Sequence, residues 1–393
     1  MSPLALREHK VINILSEKAP ADIAQTPTCL PLQKIAPRHT AGLVVSSKHN
    51  QTVVYDIPYP KIDRPDEIII RTKAVGLNPI DWKSVDYNFC LPHFPWIGGR
   101  EVAGIVEEVG PAVTGFQVGD RVWASTYYRD RRAGTFQEFV TVPEHTVLPL
   151  PENLTFEHGA CIGVAALTAA MTLWKWLQVP MPVPAEAVGP NRHSRPENNA
   201  NNANNARPYL LVWGGSTVTG QFAIQLASLG GYRVIAVCSE ETEPLVRDCG
   251  AEICITRDGK TNTVIVAEIR AHTQDALVAA VDLVGASTAA SCLEALSTTL
   301  PASIAPLAFM HPGQPTGPNV AVANVEMKTF VLDKTSRRYA EILNNLVAQG
   351  TLHLPAIEVL RGGFQRIQEG LGILKRGQMA GRKLVVLLED DGL

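Results

Sequence analysis

The stretch LLVWGGSTVTGQFAIQLASLGGYRVIAV, residues 210–237, decides the fold. It begins with apolar residues typical of a buried strand, turns on glycines, continues with apolar residues at helical spacing, and ends in a second β-rich run. A strand, a glycine-containing turn, a helix and a second strand of this length form a βαβ unit. In such units the first turn can hold the phosphates of a dinucleotide.

The glycine turn departs from the usual fingerprint at one position. Gly215 and Gly220 take the places of the first and third glycines, and Thr217 stands where the second would be. The second glycine lets the backbone approach a diphosphate closely, so a threonine there moves the phosphates outward. Hydroxyl groups at a helix N-terminus, where free amides already favour an anion, can make the contact instead. We therefore expect the phosphates to be bound by Gly215, Ser216, Thr217, Val218 and Thr219.

The end of the second strand indicates which dinucleotide binds. NAD-binding proteins tend to have an acidic residue there, which holds the ribose hydroxyls. Here Cys238 and Ser239 stand at that point, and we expect Glu240 and Glu241 to point outward at the start of the next helix. A small side chain leaves room for a 2′-phosphate, and Arg257, just past the third strand, can contact the adenosine and that phosphate. The sequence favours NADP(H) over NAD(H); the alternative for the arginine is a solvated loop position.

The composition is that of an ordinary globular protein. A chain of 393 residues is long for one core, so two domains are expected. The formal net charge is -3 and no basic stripe is present, so a nucleic acid is not an expected partner. No run approaches the ~18 apolar residues of a membrane helix, and the N-terminus lacks a secretion signal. The seven scattered cysteines lack a CxxC pair, which indicates a reducing compartment and predicts a cytoplasmic protein.

The chain divides into parts with different patterns. Residues 1–38 carry five prolines and are interpreted as an N-terminal extension with one possible short helix. Short β-rich runs then predict a β-barrel, and strands that alternate with helices after Pro208 predict a parallel sheet. Residues 180–207, which end in Asn-Asn-Ala repeats, are predicted to be a flexible surface insertion. The predicted α/β architecture has a barrel domain at 39–160 and 341–393 and a Rossmann-type, doubly wound sheet at 161–340.

Two helix ends can be placed from the sequence. In LTFEHGACIGVAALTAAMTLWKWLQ, Thr155 is the expected N-cap of a long helical passage. In SRRYAEILNNLVAQGTL, Gly350 is the expected C-terminal cap of a helix near the end of the chain.

Several motifs resemble the medium-chain dehydrogenase/reductase superfamily over residues 39–393. They are AVGLNPIDWK, GGREVAGIVEEVG, FQVGDRVWA, GTFQEFVTV and the glycine turn. The resemblance implies a GroES-like barrel as the catalytic domain. In zinc alcohol dehydrogenases of this superfamily the catalytic ligands fall at the places of Asn78, Arg100 and about Val164. These three side chains cannot complete a zinc site, so the resemblance implies a zinc-free branch, for which hydride transfer to an activated alkene is accessible.

Within that branch the chain is similar to fungal trans-acting enoyl reductases of polyketide biosynthesis. The similarity lies in WGGSTVTG, in VIAVCS before GAE, in the proline-rich insertion, and in GGFQRIQEGLGILKRGQMAGRKLVV. It implies NADPH-dependent reduction of an enoyl thioester on the acyl carrier of a polyketide or polyketide–peptide synthase. The N-terminal extension and the Asn-Asn-Ala run depart from the family pattern. So does Arg257, where relatives often carry an aromatic residue.

The resemblance also implies roles for single residues. Lys83 is the predicted catalytic residue, which could anchor the nicotinamide ribose, hold the thioester oxyanion or donate a proton; the alternative is a surface lysine. Asn78 is expected to cap a short helix that begins at Pro79 and aims the lysine at the cleft. Arg100 is expected either to form an ion pair with Asp81 or Glu101 or to face the substrate. The predicted substrate contacts are Asn78 and Tyr127, with Tyr128 as a second candidate acid, and the further cofactor contacts are Ser239, Arg257, Leu307, Met379 and Ala380.

Two other functions stay open at this stage. A reductase of the same fold could act on a free enone, quinone or imine, and a non-redox relative could bind an intermediate and template its cyclisation.

One feature of the sequence bears on the oligomeric state. Quinone-reductase relatives pair through the edge of the nucleotide-binding domain, where HPGQPTGPNVAVANVEM has three prolines that disfavour an edge strand. A monomer is therefore expected.

Overall fold

A barrel-like antiparallel sheet and a parallel sheet organise the computed structural model, which describes residues 39–127, 129–182 and 207–388. The short helix suggested within residues 1–38, Tyr128 and most of the proposed insertion lie outside the described residues. The sequence boundaries between the two domains stay predictions. The antiparallel strands come from both ends of the described chain and the parallel strands from its middle, as the sequence pattern predicted.

The antiparallel part is centred on a strand that is buried on both faces. Strand β3 pairs with β5, β7 and β16, and its EIII run is almost wholly inaccessible to solvent. The seven-stranded sheet has the order β15-β16-β3-β5-β6-β8, with β7 paired to β3 off this path, and a smaller sheet has the order β2-β1-β4. Within the larger sheet β15 runs parallel to β16, and the other pairs are antiparallel. The strands are β1 (His39–Ser47), β2 (Asn50–Pro58), β3 (Glu67–Gly76), β4 (Trp96–Ile97), β5 (Glu101–Val109), β6 (Arg121–Ser125), β7 (Phe139–Pro143), β8 (Val147–Pro149), β15 (Ile357–Leu360) and β16 (Lys383–Leu387).

The parallel sheet has the order β11-β10-β9-β12-β13-β14. Its inner strands are continuous apolar runs, as expected for strands covered on both faces. The chain turns to one side after β9 and later to the other at β12, so a crevice opens at the carboxyl ends of these two strands. The strands are β9 (Tyr209–Trp213), β10 (Arg233–Cys238), β11 (Ile253–Thr256), β12 (Leu277–Asp282), β13 (Ala302–Pro306) and β14 (Val320–Val322). The proline-rich stretch does form an edge strand, although one of only three residues.

Two helix ends lie where the sequence indicated. The Thr155 side chain accepts a hydrogen bond from the His158 amide, and Gly350 has the left-handed φ of 69° that a glycine cap requires. Both expected caps are confirmed. The helices are α1 (Pro79–Tyr87), α2 (Phe156–Gly159), α3 (Leu167–Met171), α4 (Val218–Leu229), α5 (Glu243–Asp248), α6 (Asn262–Thr273), α7 (Ala286–Ala295), α8 (Lys328–Leu332), α9 (Arg337–Ala348) and α10 (Gln365–Lys375).

The helical passage Phe156–Trp176, which starts with α2, forms the buried centre of the described structure. It includes two π-helical segments, Ile162–Ala166 and Thr172–Trp176, on either side of α3. By length and composition, Phe156–Trp176 is apolar enough to cross a membrane, so the expectation that no run approaches this length was wrong. Its most apolar window is 72% buried inside the protein, as in the core helix of a globular domain.

Two glutamines on α4 tie the parallel sheet to the end of the barrel. Gln221 Nε2 donates to the carbonyl oxygens of Ser216 (3.0 Å) and Gly381 (2.6 Å). Gln225 Nε2 donates to the His353 carbonyl, and its Oε1 accepts from the His353 amide. Both glutamines are buried, so these bonds are shielded from competing water.

The carboxyl end of β12 gives a prediction for stability against pH. Asp282 is fully buried, its Oδ1 has no hydrogen-bond partner, and burial raises the pKa of its carboxyl group to about 6, well above the usual value for an aspartate. Its stabilising contribution is therefore greatest below pH 4 and is lost as the pH rises through 6, a change of ~3 kcal/mol. Asp282→Asn removes this titration. In urea unfolding, the stability of the variant relative to wild type should rise between pH 4 and pH 7; a difference that is constant over this range would contradict the account.

Candidate functional site

A cleft of about 610 Å³ lies between the glycine turn and the barrel. One side of the cleft follows the carboxyl ends of the parallel strands β9, β10 and β12, where the sheet order reverses. Its barrel side is formed by the start of α1 and by the loop before β16. The sequence-predicted residues that line it are Asn78, Ser216, Thr217, Val218, Thr219, Ser239, Arg257, Met379 and Ala380.

The glycine turn presents a helix N-terminus to this cleft. Thr217 is the N-cap of α4: its Oγ1 accepts from the Gly220 amide (3.0 Å) and donates to the Gly214 carbonyl (2.9 Å). Helix geometry leaves the amides of Val218 and Thr219 without an intrahelical acceptor. The threonine hydroxyl proton is thus engaged within the turn. An anion in the cleft would meet these two amides together with the hydroxyls of Ser216 and Thr219.

The glycines of the turn have separate tasks. Gly214 has a φ of 93°, so it is Gly214 that makes the left-handed turn. Gly215 is buried, and an added Cβ would lie 2.9 Å from Ala236 Cβ on β10. A glycine here therefore lets the turn pack closely against β10. Gly220 packs directly under the carbonyl of Gly214, as the fingerprint predicts for its third glycine.

The far end of the cleft combines one cation with two carboxylates. The Arg257 amide donates to the Cys238 carbonyl (2.9 Å), which places this exposed arginine beside the end of β10 and near Ser239. Glu241 and Asp258 line the same end. Asp258 Oδ2 accepts from the amide of Glu240 (2.7 Å).

The floor of the cleft is a buried polar network centred on Glu101. Its Oε1 accepts from Asn78 Nδ2 (2.8 Å) and from Lys383 Nζ, and its Oε2 accepts from the Val164 amide (2.7 Å). Lys383 Nζ also donates to Asn78 Oδ1 (2.8 Å). The side chains of Lys383 and Glu101 are only 3% and 0% exposed. Two of the three positions at which the superfamily resemblance placed zinc ligands, 78 and 164, therefore converge on a carboxylate that an ammonium group neutralises.

The third of these positions, Arg100, turns to the other side of α1. Its Nη2 donates to Ser84 Oγ (3.1 Å), and its Nε lies 3.8 Å from Asp81 Oδ1. Burial raises the pKa of Asp81 to about 6, although the nearby arginine acts in the opposite direction. The predicted ion pair of Arg100 with Asp81 is thus present. The start of α1 agrees with expectation, because Asn78 is its N-cap and Pro79 its first residue. Asp81 Oδ2 accepts from the Asn78 amide (2.8 Å), while the asparagine side chain also belongs to the cleft floor.

Four predicted site residues lie outside the lining of the cleft. One is Gly215, which is buried and packs against Ala236 on β10. The Lys83 ammonium is 5.7 Å from the centre of the Trp82 ring. Tyr127 follows β6 and is half-buried. Leu307 follows β13, with its amide bonded to the Asp282 carbonyl, and packs on the main core. Their predicted roles stay predictions.

The sequence reasoning missed Lys383 and Glu101. Glu101 follows Arg100 in a motif that was noticed for another reason, and Lys383 opens the closing strand. The sequence offered two signals: a lysine at the start of an otherwise apolar strand, and a glutamate inside GGREVAGIV. Neither indicates the other, because 282 residues separate them.

Comparison with known proteins places these features in a family. Residues 64–152 match the model of the alcohol dehydrogenase GroES-like domain. The trans-enoyl reductase caaB of Aspergillus niger is 30% identical, over 89% of this chain and 98% of its own length. The enoyl reductase component lovC of the lovastatin nonaketide synthase of Aspergillus terreus is 29% identical, over 90% of this chain and 98% of its own length.

Solved structures agree with the fold. The CurK enoyl reductase superimposes with a TM-score of 0.71 at 18% identity, and a mycobacterial protein complexed with NADPH superimposes with 0.68 at 23%. The first comparison covers 89% of this chain and 99% of the other, and the second 88% and 99%. With its barrel, its parallel sheet and these relatives along nearly the whole length, the chain belongs to the trans-enoyl reductases of the medium-chain dehydrogenase/reductase superfamily.

Proposed function

We propose that the protein is an NADPH-dependent, trans-acting enoyl reductase. Its substrate is an α,β-unsaturated acyl thioester on the carrier of a polyketide or polyketide–peptide synthase. The observation that carries the proposal is the cleft, which has a helix N-terminus suited to phosphate on one side and a buried Lys383–Glu101 floor on the other. The names of relatives that match over most of the chain support the reaction class.

The described residues fit a nicotinamide dinucleotide. The amides of Val218 and Thr219 and the hydroxyls of Ser216 and Thr219 would hold its diphosphate. Ser239 and Arg257 would hold the adenosine end, and Met379 and Ala380 would contact it from the barrel side. When bound, the cofactor supplies the hydride that reduces the alkene. A relative in the fold comparison is described as complexed with NADPH, which supports the same class of cofactor here.

The chain itself must supply a proton and stabilise the enolate that develops on the thioester oxygen. Lys83 remains the proposed residue. Pro79 lines the cleft, and Lys83 lies four residues later on α1, which places it on the same face of the helix, one turn away. The lysine side chain has four flexible carbons, which allow its ammonium to leave the Trp82 ring and take up other positions. Tyr127 is the second proposed substrate contact.

Arg257 and Ser239 support NADP(H) as the cofactor. A guanidinium is the preferred partner of a phosphate, and a serine leaves space for it. Glu241 supports the alternative, NAD(H), because a carboxylate near the end of β10 can accept hydrogen bonds from ribose hydroxyls. We also propose that the protein is a cytoplasmic monomer that meets its synthase through the carried substrate.

The catalytic role of Lys83 is tested by Lys83→Ala. We expect kcat with an enoyl thioester to fall at least 100-fold, because a general acid or oxyanion contact is lost, while the NADPH dissociation constant, measured by fluorescence, stays within threefold. Lys375→Ala is a matched control, since its ammonium lies against the same Trp82 ring at 5.8 Å. Equal activity of Lys83→Ala and the control would remove the lysine from the mechanism.

Cofactor choice is tested by Arg257→Ala. Loss of a charge-assisted bond of ~1.5–3 kcal/mol weakens NADPH binding by roughly 10- to 150-fold and leaves NADH binding nearly unchanged. Arg247→Ala is the control, because Arg247 pairs with Glu243 on the surface of the same domain and does not line the cleft. NADH binding that exceeds NADPH binding in wild type, and weakens in Glu241→Gln, would contradict the NADP(H) assignment.

The substrate class is tested by offering one enoyl group in two forms. With NADPH present, we expect turnover of the acyl chain on a carrier protein, with a kcat/KM at least tenfold above that for a free enone of the same carbon skeleton. Equal or faster turnover of the free enone, quinone or imine would favour the small-molecule reductase. NADPH binding without oxidation by any of these substrates would favour a non-redox role.

A further inference from the structure

The buried ion pair between Lys383 and Glu101 joins four separate segments of the chain at the cleft floor. Glu101 is the first residue of β5, and Lys383 is the first residue of β16. Through hydrogen bonds they reach Asn78, at the start of α1, and the amide of Val164, in the π-helical segment. Residues beside these contacts, Pro79, Ala165 and Leu384, line the cleft directly.

The packing around Glu101 is built for this contact. Gly163 brings the π-helical backbone close: an added Cβ would lie 2.8 Å from Glu101 Cβ and from the Ala124 carbonyl. Gly76 leaves similar room, because its added Cβ would clash with Glu101 Oε1 and with the Ala160 carbonyl. Side chains at either glycine would force the carboxylate away from its partners.

A buried ion pair of this kind is a costly way to stabilise a fold. The desolvation of two charges offsets most of their attraction, and an apolar pair of similar volume is often equally stable. A directional pair, in contrast, fixes where its neighbours lie. Here each oxygen of the Glu101 carboxylate has its own partners. The Lys383 ammonium donates to two side chains, those of Glu101 and Asn78.

We propose that Lys383 is a positioning residue for the reduction, whose ammonium orients Glu101 and thereby holds Asn78 and Val164 at the cleft floor. The proposal rests on the proposed function for its catalytic consequence, but not for its structural one. The positive charge lies where the superfamily resemblance placed two ligands of a metal. It acts through Glu101 on the walls that hold the substrate against the cofactor, while the phosphate grip at α4 is separate.

The structural consequence can be measured without cofactor or substrate. In Lys383→Met, Glu101 loses its counter-charge, so we expect amide hydrogen exchange at Val164 to quicken at least tenfold in the unliganded protein. Lys383→Arg keeps the charge and should stay within threefold of wild type. Lys334→Met, which removes an exposed lysine paired with Asp66, is the control and should leave this exchange unchanged.

The catalytic consequence is a separation of turnover from cofactor binding. We expect Lys383→Met to lower kcat with an enoyl thioester at least tenfold, to keep the NADPH dissociation constant within threefold, and to be rescued by Lys383→Arg. In the double variant Glu101→Leu, Lys383→Met the buried charge is gone, so its melting temperature should exceed that of Lys383→Met while kcat stays low. If wild type itself reduces no enoyl thioester, the proposed function fails, and the exchange experiment still decides the positioning role.

The proposal is overturned if the Val164 amide of Lys383→Met exchanges at the same rate as in wild type. It is equally overturned by wild-type kcat in the double variant, or by a loss of NADPH binding as large as the loss of kcat. If neither charge-removal variant folds, the pair is a requirement for folding and the positioning role is also rejected.

Discussion

A buried carboxylate sets the main constraint on this structure. Glu101 has no access to solvent, and a charge in that position is tolerated only when counter-charge and hydrogen-bond donors surround it. Lys383, Asn78 and the Val164 amide supply them from three distant parts of the chain. The closing strand, the first helix and the central helical passage must therefore meet at one point, and the cleft opens above that point.

The glycine-turn side of the cleft is held to the barrel side by hydrogen bonds to backbone carbonyls. Gln221 bonds to Ser216 in the glycine turn and to Gly381 in the loop that leads to Lys383. Only one residue, Arg382, lies between Gly381 and Lys383. The two hydrogen bonds of Gln221 thus join the glycine turn to the loop that leads to the cleft floor. The cleft depends on the relative position of the parallel sheet and the barrel strands, and these contacts hold that position.

Local chemistry explains what the sequence could and could not predict. The βαβ unit, the cap at Thr155 and the packing role of Gly220 follow from residues close together in the chain, and all are present. Thr217 shows a limit, because its hydroxyl was expected to bind phosphate and instead caps α4. Lys383 shows another: its partner Glu101 is 282 positions away in the chain, and only the folded sheet order brings β16 to within one strand of β5, with β3 between them. Lys83 was assigned by resemblance, and its ammonium lies against Trp82 in this structure.

The direct test of the account is a crystal structure of the protein soaked with NADPH. The account predicts the diphosphate at the N-terminus of α4, within hydrogen-bond distance of the Val218 and Thr219 amides, and the nicotinamide ring above Asn78 and Lys383. A cleft that stays empty at saturating cofactor, or a cofactor bound with its ring away from that floor, would contradict it.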